Sequence, residues 1–122
     1  MLYAYQLDLL KIPVTDLQRS VAFYRDALGF EPQFVVEEFG WAQLAVHELP
    51  LALYVTGQGG GNGIVGGSVG FHLALPQADF DKLADSLQMI GQGQVQTGAD
   101  DSIFLEVNDP DGNEIKIMRI PI

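Results

Sequence analysis

Cysteine is absent from this 122-residue chain, which excludes a disulfide framework, a thiol nucleophile and a cysteine-ligated metal. Basic residues are scarce, six against sixteen acids, for a formal charge of −10. That field repels phosphate backbones and no basic stripe with interleaved aromatics offsets it, so nucleic acid is not an expected partner. No apolar run approaches the roughly 18 residues that a bilayer span needs, so no membrane association is expected. Met1–Gln6 has neither a basic start nor a long apolar stretch, so no secretory signal is expected and a cytoplasmic location is the default. With two histidines, no cysteine, and Asp79 placed at a helix start, no Ser–His–acid or Cys–His arrangement can be argued.

What the chain has is a repeat. Leu9–Leu17 and His72–Phe80 both read as an apolar strand with Pro near its end, Asp three residues later, and then a helix-period pattern. The copies lie 63 residues apart, Leu9 matching His72 and Asp16 matching Asp79. Leu17, Val21, Tyr24 and Leu28 recur at helical spacing in one copy, Phe80, Leu83, Leu87 and Ile90 in the other. Gly29 and Gly91 are the expected helix stops. Three strand-like runs follow each helix: 33–38, 41–47 and 51–56, then 94–97, 102–107 and 114–120. Asn108-Asp109-Pro110-Asp111-Gly112-Asn113 is the turn before the last strand, where Asp109 and Asp111 are expected to bond local backbone rather than to do chemistry. The sequence therefore predicts an α+β fold of two tandem βαβββ modules in one domain spanning 1–122. Module one is 1–56, a Gly-rich linker is 57–67, and module two is 68–122.

The linker carries seven glycines in eleven residues. A phosphate cradle would need a helix and a Lys-Ser/Thr directly after it, and here a strand, Ser68 to Leu75, follows instead, so it reads as a flexible connection. Such a connection leaves open whether halves pair within one chain or are exchanged between two.

One helix covers one face of a sheet, so each module should have a packed face and an open one. Alternation places Leu10, Ile12, Val14, Leu44, Val46, Leu51, Leu53, Phe71, Leu73, Leu75, Leu105, Val107, Ile115 and Ile117 under the helices. The opposite parity carries Lys11, Trp41, Gln43, Tyr54, His72, Phe104, Glu106, Lys116 and Met118, a mixture suited to a cavity wall. Trp41, Tyr54, Phe104 and Met118 could clamp a flat ligand or fill a closed core. Lys11 and Lys116 could hold an anionic group. The bland alternative for the lysines is an internal ion pair with Glu106 or Glu114.

Ile12-Pro13-Val14-Thr15-Asp16-Leu17, Phe23-Tyr24-Arg25-Asp26-Ala27-Leu28-Gly29-Phe30 and Asp109-Pro110-Asp111-Gly112-Asn113 together resemble the vicinal oxygen chelate superfamily, which groups glyoxalase I, extradiol dioxygenases and bleomycin-resistance proteins. The resemblance covers nearly the whole chain. It implies curled mixed sheets forming a shared cup, helices on the outer faces, and commonly a homodimer. In the family's metal enzymes, ligands come from the first and the last strand of each module. His72 matches one such place. Leu9, Lys116 and Ala52 stand at the other three, where none of them offers a metal donor.

This predicts a metal-independent protein, with no cofactor, that binds a small, partly aromatic, anionic or polar molecule in the cup. The alternatives are a glyoxalase-like metal-dependent lyase or isomerase, or a dioxygenase, with displaced ligands such as His72, Glu106 and His47, and a metal-free enzyme with Lys116 or His72 as base and Glu106 tuning it. Catalytic candidates are accordingly His72, Lys116 and Glu106. A protein-interaction module with a filled cup is a further reading.

Overall fold

The computed structural model describes residues 3–46 and 49–121. Its elements run β1 (Leu10–Val14), α1 (Leu17–Asp26), β2 (Glu31–Val36), a 3-10 turn (Glu37–Phe39), β3 (Trp41–Val46), β4 (Leu49–Val55), β5 (Ser68–Pro76), α2 (Gln77–Met89), β6 (Gln94–Thr97), β7 (Ile103–Asn108) and β8 (Glu114–Ile120). The chain is α+β, and βαβββ occurs twice. Each module folds its own four-stranded mixed sheet, ordered β1-β4-β3-β2 and β5-β8-β7-β6. In each, the first strand runs parallel to the last, and the remaining pairs are antiparallel. No helix among the described residues is long and apolar enough to cross a membrane.

Local chemistry explains the helices. The Asp16 side chain accepts from the Arg19 amide at 3.0 Å and so caps α1. Gly29 stops it with a left-handed φ of 78°, and the Phe30 amide reaches back to the Tyr24 carbonyl at 2.9 Å. Leu17, Val21, Tyr24 and Leu28 are all buried, as their spacing predicts. The second copy departs from the first at both ends. There α2 starts at Gln77, so Asp79 lies in its first turn and caps nothing. Its buried stripe is Phe80, Ala84 and Leu87. Ile90, predicted on that stripe, is 60 % exposed because the helix ends at Met89.

The predicted packed face is confirmed: Ile12, Val14, Leu44, Leu51, Leu53, Leu105, Val107, Ile115 and Ile117 are buried. Leu10, Phe71, Leu73 and Leu75, predicted on the same face, are only half-buried. Core residues of both modules form one continuous cluster, so the helices share a single interior.

The modules meet at β1 and β5 without pairing in one sheet, across a cleft of about 280 Å3. The turn before β8 locks them together. Asp109, 5 % exposed, takes the Tyr24 hydroxyl at 2.8 Å, the Asp111 and Asn113 amides at 2.9 Å each, and Asn113 Nδ2 at 2.9 Å. Asn113 Nδ2 also donates to the Pro13 carbonyl at 2.7 Å. Asp111 accepts from the Thr15 amide at 3.0 Å, from the Thr15 hydroxyl, and from Arg19 at 3.1 Å. The two amide bonds to Asp109 are the local ones expected. The Asn113 Nδ2 bond to Asp109 also stays within the turn. The bonds to Tyr24, Pro13, Thr15 and Arg19 join module two to β1, α1 and the residue between them. Asp111, expected to bond local backbone, bonds across the modules instead, a role that sequence spacing does not disclose.

Candidate functional site

The open face of module one holds a cavity of about 650 Å3, and its walls come entirely from module one and the loop after β4. Strand register builds its floor. Across β1, β4, β3 and β2 the same-face rows are Lys11, Ala52, Gln43, Phe34 and Pro13, Tyr54, Trp41, Val36. A bulge puts Phe34 there. Pro32 pairs with Leu44 and Phe34 with Gln43, so Gln33 is an extra residue that reverses parity beyond it. Without it, Phe34 and Val36 would point toward the helix. The 3-10 turn then ends at Gly40 in left-handed conformation and brings Phe39 to the rim. Phe34 is 48 % exposed and Phe39 63 %. Trp41, half-buried, completes the aromatic wall.

The roof is Gln58-Gly59-Gly60, part of the Gly-rich segment. Lys11 Nζ donates to the Gly60 carbonyl at 2.7 Å and lies 5.1 Å from the centre of the Tyr54 ring. The Gly63 amide donates to the Tyr54 hydroxyl at 3.2 Å, and the Thr56 hydroxyl donates to the Gly63 carbonyl at 2.7 Å. Glycine is required by this close approach. A Cβ at Gly60 would lie 2.8 Å from Tyr54 Cβ and 3.0 Å from Trp41 Cε3. One at Gly63 would lie 2.2 Å from the Tyr54 hydroxyl. Tyr54 therefore sits beneath the loop, 5 % exposed, and outside the cavity wall. Lys11 is the one ionisable side chain in that wall.

Module two presents a different surface. His72, Lys116, Glu106 and Gln94 are successive partners across β5, β8, β7 and β6, with Ala74, Met118, Phe104 and Gln96 in the next row. His72 is exposed, Glu106, Lys116 and Met118 are half-buried, and Phe104 is buried. The ion pair anticipated for Lys116 is not formed. Its Nζ lies 4.0 Å from the centre of the Phe104 ring, while Glu114 accepts from the Ser68 hydroxyl at 3.2 Å. Among the described residues the ion pairs are Arg19–Asp111, Arg25–Asp26 and Arg119–Asp81.

These donors do not fit a divalent cation. Lys116, an ammonium, stands between His72 and Glu106, where it offers no lone pair and repels a metal. Among the described residues no three His, Asp or Glu side chains gather as such an ion requires. His47 lies outside the described residues. One assignment shifts. Ala52 pairs with Lys11, and Leu10 pairs with Leu51, so the residue opposite Leu9, in the place Lys116 holds opposite His72, is Pro50. Neither Ala52 nor Pro50 offers a side-chain donor.

The nine predicted wall residues thus fall in two groups, on two faces. Lys11 and Trp41 line the cavity, with Gln43 in the same floor row as Lys11 and Tyr54 under the roof. His72, Phe104, Glu106, Lys116 and Met118 form the module-two surface. Sequence reasoning missed Phe34, Val36, Phe39 and Gln58. Simple alternation fails across a bulge, and only the long glycine run hinted that a segment lies close against side chains.

Comparison with known proteins gives one family. The model of the Glyoxalase/Bleomycin resistance protein/Dioxygenase superfamily matches residues 6–117. No curated protein sequence matches the chain. Among solved structures, a member of that superfamily from Sphaerobacter thermophilus is similar at 20 % identity and TM-score 0.76, over 96 % of this chain and 98 % of that one. A lactoylglutathione lyase from Agrobacterium tumefaciens is similar at 16 % identity and TM-score 0.75, over 91 % and 92 %. A virulence protein from Salmonella typhimurium is similar at 19 % identity and TM-score 0.69, over 98 % and 100 %. At these identities the likeness is one of fold.

Proposed function

The chain belongs to the Glyoxalase/Bleomycin resistance protein/Dioxygenase superfamily, and from that premise we propose that it binds a small, partly aromatic molecule with a polar or anionic group, without a metal. The observation that carries this reading is the cavity of about 650 Å3 walled by Phe34, Phe39 and Trp41, with Lys11 reaching from its floor to the roof carbonyl of Gly60. A volume of that order suits a drug-sized ligand, and aromatic walls with one polar anchor are the usual composition of such a site. Stacking on the aromatics supplies affinity, and Lys11 fixes orientation. Membership alone does not choose a reaction, because one fold hosts many functions. The donor set at His72, Lys116 and Glu106 weighs against the lyase and dioxygenase alternatives. We keep the homodimer and the cytoplasm in this reading. Sedimentation that gives a monomer at all concentrations overturns the first.

A second reading rests on one arrangement: Lys116 lies between His72 and Glu106 on neighbouring strands, as a metal-free acid–base site would require. It predicts that Lys116→Ala abolishes turnover in a fold that survives.

The test is a fragment screen by thermal shift on protein stripped with EDTA, repeated after loading with zinc, nickel, manganese and iron. Aryl acids and aromatic drugs that stabilise the stripped protein support the proposal. Stabilisation only in the metal-loaded protein overturns it.

A further inference from the structure

We infer that the cavity selects an organic anion, an aryl carboxylate or phenolate, and that Lys11 is the residue that selects it, held ready by the Gly60 carbonyl and the Tyr54 ring. This rests on the reading of the cavity as a ligand site and adds the charge of the ligand and the group that reads it.

Placement comes first. Lys11 stands on β1 with the aromatic wall on one side and the glycine roof above. An ammonium has three N–H donors, and the Gly60 carbonyl at 2.7 Å takes one. The Tyr54 ring face, 5.1 Å away, favours the cation without consuming a donor. Two donors remain for a ligand, on a side chain whose rotamers are already restricted. Lysine otherwise loses considerable side-chain entropy when it closes on a ligand, so this restriction lowers the cost of recognition.

Glycine at Gly60 and Gly61 lets the roof come this close. A Cβ at Gly61 would lie 3.3 Å from Lys11 Nζ and 2.7 Å from Tyr54 Cε2. Any other residue there would crowd the ammonium or lift the loop from it.

The net charge of the whole chain, −10, opposes an anion at long range. At physiological salt, exposed charges beyond about 8 Å are largely screened. What a bound molecule meets is the wall, where Lys11 is the only ionisable group. The acids of the adjacent 3-10 turn, Glu37 and Glu38, are both exposed to solvent and lie outside that wall. The cavity is locally cationic in an acidic protein.

Two probes of one shape test this, 2-naphthoate and 2-naphthalenemethanol. The chain has a single tryptophan, so one indole N–H resonance reports occupancy of the cavity wall. The expected result is that naphthoate binds about ten-fold more tightly than the alcohol, and that added salt narrows the gap. Lys11→Met keeps the apolar stem; it should weaken naphthoate far more than the alcohol and so remove the preference for naphthoate. In the same variant the Gly63 amide should exchange with water several-fold faster, because the roof has lost a staple. Equal binding of both probes to the wild type overturns the inference and leaves the cavity reading standing. So does a naphthoate preference that survives Lys11→Met. Failure of both probes to move the indole resonance overturns the cavity reading itself. The wild-type comparison needs no variant to fold.

Discussion

Replacing Tyr24 with Phe tests how the two modules are held as one body. Tyr24 is fully buried, and its hydroxyl donates to Asp109 at 2.8 Å. A hydrogen bond to a charged acceptor contributes about 1.5–3 kcal/mol. The carboxylate is not orphaned in the variant, because the Asp111 amide, the Asn113 amide and Asn113 Nδ2 still donate to it. The cost should therefore fall near the lower end, about 1.5–2 kcal/mol. With an unfolding entropy of about 2.1 cal/mol/K per residue over the whole chain, that loss lowers Tm by about 6–8 °C. Asp109→Ala should cost more, about 3 kcal/mol or above, since it strands the hydroxyl and the buried amide groups together. The assay is urea unfolding of both single variants and the double variant, with circular dichroism as a check on the fold. The cycle should give a coupling energy above about 1 kcal/mol. A coupling near zero, with both single variants folded, would refute the claim that this bond clamps the modules.

Three further outcomes follow from the same geometry. Gly63→Ala pushes a methyl into the Tyr54 hydroxyl and should cost about 1–3 kcal/mol by denaturant unfolding, whereas Gly67→Ala meets nothing within 4 Å and should change stability little. Asp16→Ala removes the α1 cap and should cost about 1 kcal/mol, whereas Asp79→Ala, which caps nothing, should cost much less; equal losses would contradict the asymmetry of the two helix starts. Burial, and then the Asp109 carboxylate beside it, raise the Tyr24 phenol above its ordinary 10.0. Its neutral form is thus favoured by folding, so this contribution is complete below pH 10 and is lost as pH climbs beyond it. Above pH 10 the wild type should lose stability faster than Tyr24→Phe, by up to about 1.4 kcal/mol per pH unit, as read by urea titration.

The repeat, the helix faces and the packed side of both sheets were legible because burial imposes its period on the sequence. Leu17, Val21, Tyr24 and Leu28 face one way in any straight helix, and Ile115 and Ile117 face one way in any regular strand. What was not legible depended on departures from regularity. The extra residue Gln33 turns Phe34 and Val36 toward the cavity, and no residue type announces a bulge there. The repeat predicts the same start for both helices, but α2 begins at Gln77, ahead of Asp79. The glycines of 57–67 read as a connection, yet Gly60, Gly61 and Gly63 lie against Lys11, Tyr54 and Trp41, contacts that only the folded chain brings together. The turn rules foresaw the local bonds of Asp109, whereas the Asp111 carboxylate bonds across the modules instead. Their bonds to Tyr24, Thr15 and Arg19 span 85 to 96 residues of chain. The nine wall residues were foreseen as one set because the resemblance implies a shared cup, and parity along a strand does not tell whether the open faces of two sheets line one cavity.

The cavity of module one as the binding site is the central claim, and chemical-shift mapping tests it most directly. Isotope-labelled protein, stripped of metal with EDTA, would be titrated with an aryl carboxylate from the fragment screen. The account predicts that the largest shifts fall on Lys11, Phe34, Phe39, Trp41 and the Gln58–Gly60 backbone, with affinity unaltered by added divalent metal. Shifts centred on His72, Glu106 and Lys116, or binding that appears only after metal is restored, would contradict it.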